Sequence, residues 1–211
     1  MKVALINASP KLKNSTSGIL LEYLRDCLVI HGVDIQEEKA HSIATVGEVS
    51  VLLKDVDSAV FALPLYVDGV PSHLLSILSE LEKQGNMNKV NVYAIVNCGF
   101  YEGIQAEHAL KIIENWCKKS NNNWCGGLGI GGGGALAMMP VVEGGKGPRG
   151  AIDNEISKLA ERIIDKENTE NQYPTVKFPR ALYKLAAQIG WRRSIKANGG
   201  TIKDLGRQIE L

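Results

Sequence analysis

Apolar residues along this chain collect into short unbroken runs rather than alternating with polar ones. Residues 3–6 (Val-Ala-Leu-Ile), 59–63 (Ala-Val-Phe-Ala-Leu), 90–96 and 124–130 each read as a strand, and 33–37 reads as a weaker, alternating one. Runs that are apolar on both sides of the pleat predict strands covered on both faces. Between them the period lengthens. Within 18–30, Ile19, Leu20, Tyr23, Leu24, Cys27 and Leu28 fall at the i, i+3, i+4 spacing of an amphipathic helix. Further helices are predicted over 47–54, 72–83 (with Pro71 suited to the first turn), 105–118 and 151–166. Strands separated by helices need right-handed crossovers, which make the sheet parallel. The predicted fold class is α/β: an open parallel five-stranded sheet, doubly wound into a three-layer α/β/α sandwich, with a C-terminal helical extension. Ligands in such sheets bind beyond the carboxyl ends of the strands, so the segments after Ile6, Leu63, Val96 and Ile130 are where chemistry is expected.

Charge divides the chain. Its 211 residues carry a formal net charge of only +1, too balanced for a nucleic-acid partner. From Tyr173 to Leu211, however, eight basic residues stand against two acidic ones, a net +6 that leaves −5 on the preceding 172 residues. At about 150 residues per domain, the length fits one domain over 1–167 and a basic extension over 168–211, with 168–172 read as a linker. In the extension Leu182, Leu185, Ala186 and Ile189 share a helical face, with Arg192, Arg193 and Lys196 behind it. No run reaches the ~18 apolar residues of a membrane span, and 3–6 is too short for a signal peptide. Stable membrane insertion is therefore not expected. Cys27, Cys98, Cys117 and Cys125 form no C-x-x-C pair, and His31, His41, His73 and His108 lack ligand spacing. Neither a disulfide framework nor a metal is expected; the reading is reduced thiols in a cytoplasmic protein.

The first post-strand loop is dense in hydroxyls, amides and lysines: Ser9, Lys11, Lys13, Asn14, Ser15, Thr16 and Ser17. It leads into a helix, whose N-terminal N–H groups and positive dipole end suit a phosphate. It is neither a Walker loop nor a G-x-G-x-x-G fingerprint; the alternative is a plain polar loop with a serine cap. The second loop, Pro64, Leu65, Tyr66, Val67, Asp68, Gly69, Val70, Pro71, carries an aromatic in a Pro- and Gly-rich turn. The third, Asn97, Cys98, Gly99, Phe100, Tyr101, Glu102, Gly103, adds two aromatics. Together the three point to a phosphorylated planar ligand. Glycine is abundant, 22 residues and more than the usual ~7%. The run Gly131–Gly134 is open to two readings, close approach of a ligand or a structural loop, and Met138 and Met139 would suit an apolar cover.

The stretch from Ser9 to Ser17 resembles the G-S-P-(R/K)-x-x-N-S-x-(S/T) phosphate loop of the NAD(P)H-dependent FMN reductase family, which has the flavodoxin-like fold. The stretch from Pro64 to Pro71 is similar to that family's P-(L/I)-Y-x-x-x-(M/V)-P segment, and Asn97-Cys98-Gly99-Phe100 to its third flavin loop. Asn7-Ala8 replaces the usual glycine before the serine, so a reshaped loop is expected; residues 34–63 hold no cysteine for an iron–sulfur cluster. The resemblance implies FMN as cofactor, its phosphate on the first loop and its ring between the other two. Tyr66, Phe100 or Tyr101 would stack on that ring, and Cys98 would be a small buried thiol. It implies a ping-pong oxidoreductase passing a hydride from NAD(P)H (NADH or NADPH) to FMN N5, then two electrons to a quinone, flavin or similar small-molecule acceptor, with no catalytic side chain. A homodimer is likewise implied, with the tail helix at the contact; an amphipathic basic helix on an anionic membrane surface and a plain intramolecular cap are the alternatives for that helix. Arg149, Arg192 and Arg193 are candidates for a 2′-phosphate. Two alternatives stand: an FMN-binding electron carrier without its own NAD(P)H oxidation, for which the charge is too basic, and a flavin-free binding protein.

Overall fold

The computed structural model describes residues 1–85, 89–136 and 146–207. Five strands, β1 (Lys2–Asn7), β2 (Asp34–Lys39), β3 (Ser58–Pro64), β4 (Asn91–Asn97) and β5 (Asn123–Ile130), form one sheet in the order β2-β1-β3-β4-β5, every neighbouring pair parallel. The order reverses between β1 and β3, so a crevice is expected above that pair. The helices are α1 (Thr16–Val29), α2 (Val46–Leu53), α3 (Ser72–Gln84), α4 (Glu107–Lys119), the short α5 (Gly133–Leu136), α6 (Gly150–Asp165) and α7 (Arg180–Ala197). α1 and α6 pack together on one face, and α2, α3 and α4 cover the other.

Burial explains each strand's sequence. β1, β3 and β4 are buried along almost their whole length, as expected of runs apolar on both sides. β2 is an edge strand and correspondingly polar (Asp-Ile-Gln-Glu-Glu-Lys), which discourages pairing with another chain. The core on the α2–α4 face centres on Phe61, whose ring meets Trp116 edge-on at 5.7 Å between centroids. Trp116 also donates its indole N–H to the Leu78 carbonyl at 2.8 Å. The glycines of β5 have a packing cause. A Cβ on Gly127 would lie 2.6 Å from a Leu110 methyl of α4, and one on Gly129 2.6 Å from the Gly103 carbonyl oxygen.

The segment 168–172, read as a linker, is instead part of a strap along β5. Thr169 N–H donates to Cys125 O, Gln172 N–H to Gly127 O, Gly129 N–H to Gln172 O and Gly131 N–H to Pro174 O, at 2.8–3.1 Å. The strap shields the sheet's far edge and belongs to the first of two compact units, Met1–Val176 and Lys177–Leu211. Among its described residues the second unit holds α7 and a short 3₁₀ helix, Ile202–Gly206, whose start is closed by a capping box between Thr201 and Asp204. None of α7's own residues is buried. Among the described residues no helix is long and apolar enough to cross a membrane.

Candidate functional site

The loop after β1 is shaped by its own side chains. Asn7 accepts the Ser9 N–H on Oδ1 (3.1 Å) and donates from Nδ2 to Ser15 Oγ (3.3 Å), tying both ends of the loop together. The Asn7–Ser9 bond closes an Asx-type turn. Ser15 is the N-cap of α1, its Oγ accepting the Gly18 N–H at 3.0 Å. Ser9 Oγ accepts the Lys11 N–H at 3.2 Å. Asn14 (φ 51°) supplies the left-handed residue that turns the chain into the helix. On the other side, His73 of α3 places Nε2 3.2 Å from the Ala8 carbonyl oxygen.

Hydroxyl protons separate the four predicted hydroxyls into two pairs. Thr16 Oγ1 donates to Gly133 O (3.2 Å) and Ser17 Oγ donates to Asn97 Oδ1 (2.8 Å, buried). Both protons are engaged by the scaffold. Ser9 and Ser15 act as acceptors in the bonds above and keep their protons. The backbone N–H groups from Leu12 to Ser17 donate to no acceptor among the described residues, and no acidic residue stands in the first turn of α1. Lys11 and Lys13 are exposed beside them. The loop offers N–H groups without an acceptor among the described residues, those of Thr16 and Ser17 at the positive end of α1, with two hydroxyls and two ammonium groups on the same loop.

The loop after β3 is a closed two-residue turn. Tyr66 and Gly69 exchange N–H···O bonds at 3.0 Å in both directions, and Val67 (φ 48°) and Asp68 (φ 57°) are both left-handed. Tyr66 is half exposed, and Leu65 N–H donates to Asn97 O at 2.8 Å, tying this loop to the third. In the third loop Phe100 is half exposed, whereas Tyr101 is partly covered and its carbonyl accepts the Thr175 hydroxyl of the strap. Cys98 is buried, its Sγ 3.6–3.7 Å from the Phe100 and Glu102 carbonyls, and burial pushes its thiol pKa up. It is buried, as the sequence led one to expect.

The glycines after β5 join these parts. Gly132 N–H donates to Phe100 O (2.6 Å) and Gly133 N–H to Cys98 O (2.8 Å). A Cβ on Gly133 would sit 2.9 Å from Cys98 O. Gly131–Gly133 are therefore structural, while Gly134 faces open space. Met138 and Met139 lie outside the described residues. Arg149, a candidate for a 2′-phosphate, is buried: its Nε donates to both Asp153 oxygens at 2.8 and 3.0 Å and its guanidinium lies 5.8 Å from the Tyr23 ring centroid. It forms a buried ion pair with Asp153. Sequence reasoning missed the organising roles of Asn7 and His73; only the strand-end position of Asn7 signalled either.

The loops after β1, β3 and β4 thus stand side by side at the carboxyl edge of three adjacent strands. No protein-family model matches this chain, and no curated protein is similar to it in sequence. Solved structures are. A flavone reductase aligns with TM-score 0.58 at 13% identity, over 82% of this chain and 66% of that one. The FMN-dependent NADH-azoreductase from Bacillus anthracis str. Ames Ancestor, in complex with FMN, gives 0.53 at 12%, over 77% and 99%. The Streptococcus pneumonia TIGR4 flavodoxin gives 0.53 at 14%, over 79% and 99%. The fold is flavodoxin-like. In this flavodoxin-like sheet the free-donor loop opens beside the β1/β3 reversal, and the half-exposed aromatics Tyr66 and Phe100 stand on the next two loops. The arrangement can hold a dianion at one end and a planar group beside it.

Proposed function

We propose that this protein is an FMN-dependent NAD(P)H oxidoreductase. The observation that carries the reading is the loop from Leu12 to Ser17, which runs into the first turn of α1 and whose N–H groups have no acceptor among the described residues. A phosphate dianion fits that donor set, which offers N–H groups, the Ser9 and Ser15 hydroxyl protons and the charges of Lys11 and Lys13. Pro64, Leu65, Tyr66, Val67, Asp68 and Gly69 would flank the flavin on one side. Asn97, Cys98, Gly99, Phe100 and Tyr101 would flank it on the other, with Tyr66 and Phe100 offering aromatic faces. When bound, FMN supplies the redox chemistry, taking a hydride from NAD(P)H and releasing two electrons to a quinone, flavin or similar acceptor. The chain's own part is to bind and orient. Ser17 holds the phosphate loop to the end of β4 through Asn97, Thr16 holds it to the glycines after β5 through Gly133, and no side chain need act as acid or base.

Similarity to an NADH-azoreductase in complex with FMN and to a flavone reductase supports this reading; the flavodoxin is matched equally well, and what favours a reductase over a carrier is the near-neutral net charge of +1. The reading also assigns a homodimer, in which the basic unit (net +6 from Tyr173 onward) meets the acidic body (net −5) of a second copy. It places the enzyme in the cytoplasm, where NAD(P)H is made and the four free thiols stay reduced. The test is a pair of calorimetric titrations, one with FMN and one with riboflavin. The cradle predicts that FMN binds at least about 100-fold tighter, the size expected of several charge-assisted hydrogen bonds. Equal affinities would show that the loop does not take the phosphate.

A further inference from the structure

One rung of the sheet is missing a donor at the site itself. β1 and β3 pair in register up to Asn7 opposite Ala62, and the ladder runs on, with the Ala8 N–H donating to Ala62 O at 2.8 Å. In a parallel ladder a residue donates to one residue of the neighbouring strand and accepts from the residue two places further along it. For Ala8 that second partner is residue 64. Residue 64 is proline, which has no N–H to give. Ala8 is fully buried, so its carbonyl oxygen cannot turn to water instead, and a buried carbonyl without a donor is costly. No backbone N–H among the described residues donates to it. His73, in the first turn of α3, stands in: its Nε2 lies 3.2 Å from Ala8 O. A carbonyl oxygen only accepts, so this contact requires the ring proton on Nε2.

The other half of the same peptide unit is the Ser9 N–H, which Asn7 Oδ1 accepts at 3.1 Å. In a planar trans peptide the C=O and the N–H point opposite ways. The two bonds therefore clamp the Ala8–Ser9 peptide from both sides, its carbonyl turned to α3 and its N–H to Asn7, whose amide also reaches Ser15 at the start of α1. Reversing this peptide would turn a carbonyl oxygen toward the phosphate loop, where it would repel an anion. We propose that His73 is a positioning residue for the phosphate end of the ligand. By supplying the donor that Pro64 lacks, it keeps the Ala8 carbonyl turned away from the loop and fixes Ser9 upon it. The inference rests on the FMN reading and adds to it a residue outside the three loops, acting through the Ala8–Ser9 peptide.

The experiment is a pair of calorimetric titrations, with FMN and with riboflavin, on the parent, His73→Phe and His73→Gln. Phenylalanine keeps a ring and removes the donor; the glutamine amide can place an N–H where Nε2 stood. His73→Phe is expected to weaken FMN binding at least about tenfold and riboflavin binding by no more than about twofold. His73→Gln is expected to stay within about threefold of the parent for both ligands. Equal losses for FMN and riboflavin would make His73 a general structural residue and overturn the proposal. So would an FMN affinity unchanged in His73→Phe, or lost in His73→Gln as fully as in His73→Phe. Long-range proton–nitrogen NMR of the ligand-free parent at alkaline pH reads the tautomer without any variant. The proton is expected on Nε2 of His73, and a proton on Nδ1 would overturn the proposal even where a variant fails to fold. A parent that binds FMN no tighter than riboflavin would overturn the phosphate reading itself, whereas a preference kept in both the parent and His73→Phe would overturn only the role of His73.

Discussion

The buried hydrogen bond from Ser17 Oγ to Asn97 Oδ1 joins the first turn of α1 to the end of β4 across 80 residues of sequence. Both residues are buried, Ser17 at 1% and Asn97 at 7% exposure, and the bond is 2.8 Å long. Replacing Ser17 with alanine removes the donor and leaves the amide oxygen without one. An unsatisfied buried acceptor costs about 1–3 kcal/mol. For a unit the size of Met1–Val176, each kcal/mol lowers Tm by about 2–4 °C, so Ser17→Ala should melt several degrees below the parent. Asn97→Ala should do the same and leave the serine hydroxyl unpaired. The double variant decides the matter. If the two groups are partners, their losses overlap, and a cycle in urea should give a coupling of about 0.5–3 kcal/mol. Losses that add to within about 0.5 kcal/mol would refute the bond, and with it the claim that Ser17's proton is withheld from a ligand.

Three other perturbations probe the frame of the site. Asp153→Asn should destabilise the protein by about 3–5 kcal/mol in chemical denaturation, since it leaves the buried Arg149 charge unpaired. Gly131→Ala drives a Cβ against the Tyr101 carbonyl oxygen and to 2.7 Å from Gly103 N, backbone on both sides; poor soluble yield or a Tm loss larger than that of Ser17→Ala is expected. Hydrogen bonds from the Lys2 N–H and from Lys166 Nζ, at 2.9 and 3.1 Å, hold the Asp57 carboxyl below its ordinary pKa. A folded-state value below the unfolded one means that the stabilisation is complete above about pH 4 and fades as pH falls through the folded value. Tm should therefore drop on acidification below about pH 4, and Asp57→Asn should reduce the dependence.

The sheet and its helices were legible in the sequence because parallel strands buried on both faces are apolar throughout, and the crossover helices keep their 3.6 period. Even the glycine-rich β5 was legible as a strand; what was not visible was why it tolerates glycine, namely the close approach of Leu110 and the Gly103 carbonyl. The strap over 168–176 was misread because its pairing with β5 is made by backbone groups, which leave no trace in side-chain pattern. The three loops were legible as a cluster, since strand order alone brings them to one edge. The division of labour among the hydroxyls was not. Whether Thr16 and Ser17 point at a ligand or inward depends on Gly133 and Asn97, more than 75 residues away. Nor could the left-handed Val67-Asp68 turn be foreseen, because its residue types argue against it.

The central claim is most directly tested by the visible absorption spectrum of the purified, FMN-loaded protein before and after anaerobic addition of NADH or NADPH. The account predicts two flavin bands that bleach within seconds with one or both donors. Bands that persist with both and bleach only with dithionite would make the protein an electron carrier, and a chain that stays colourless in the presence of FMN would contradict the flavin site altogether.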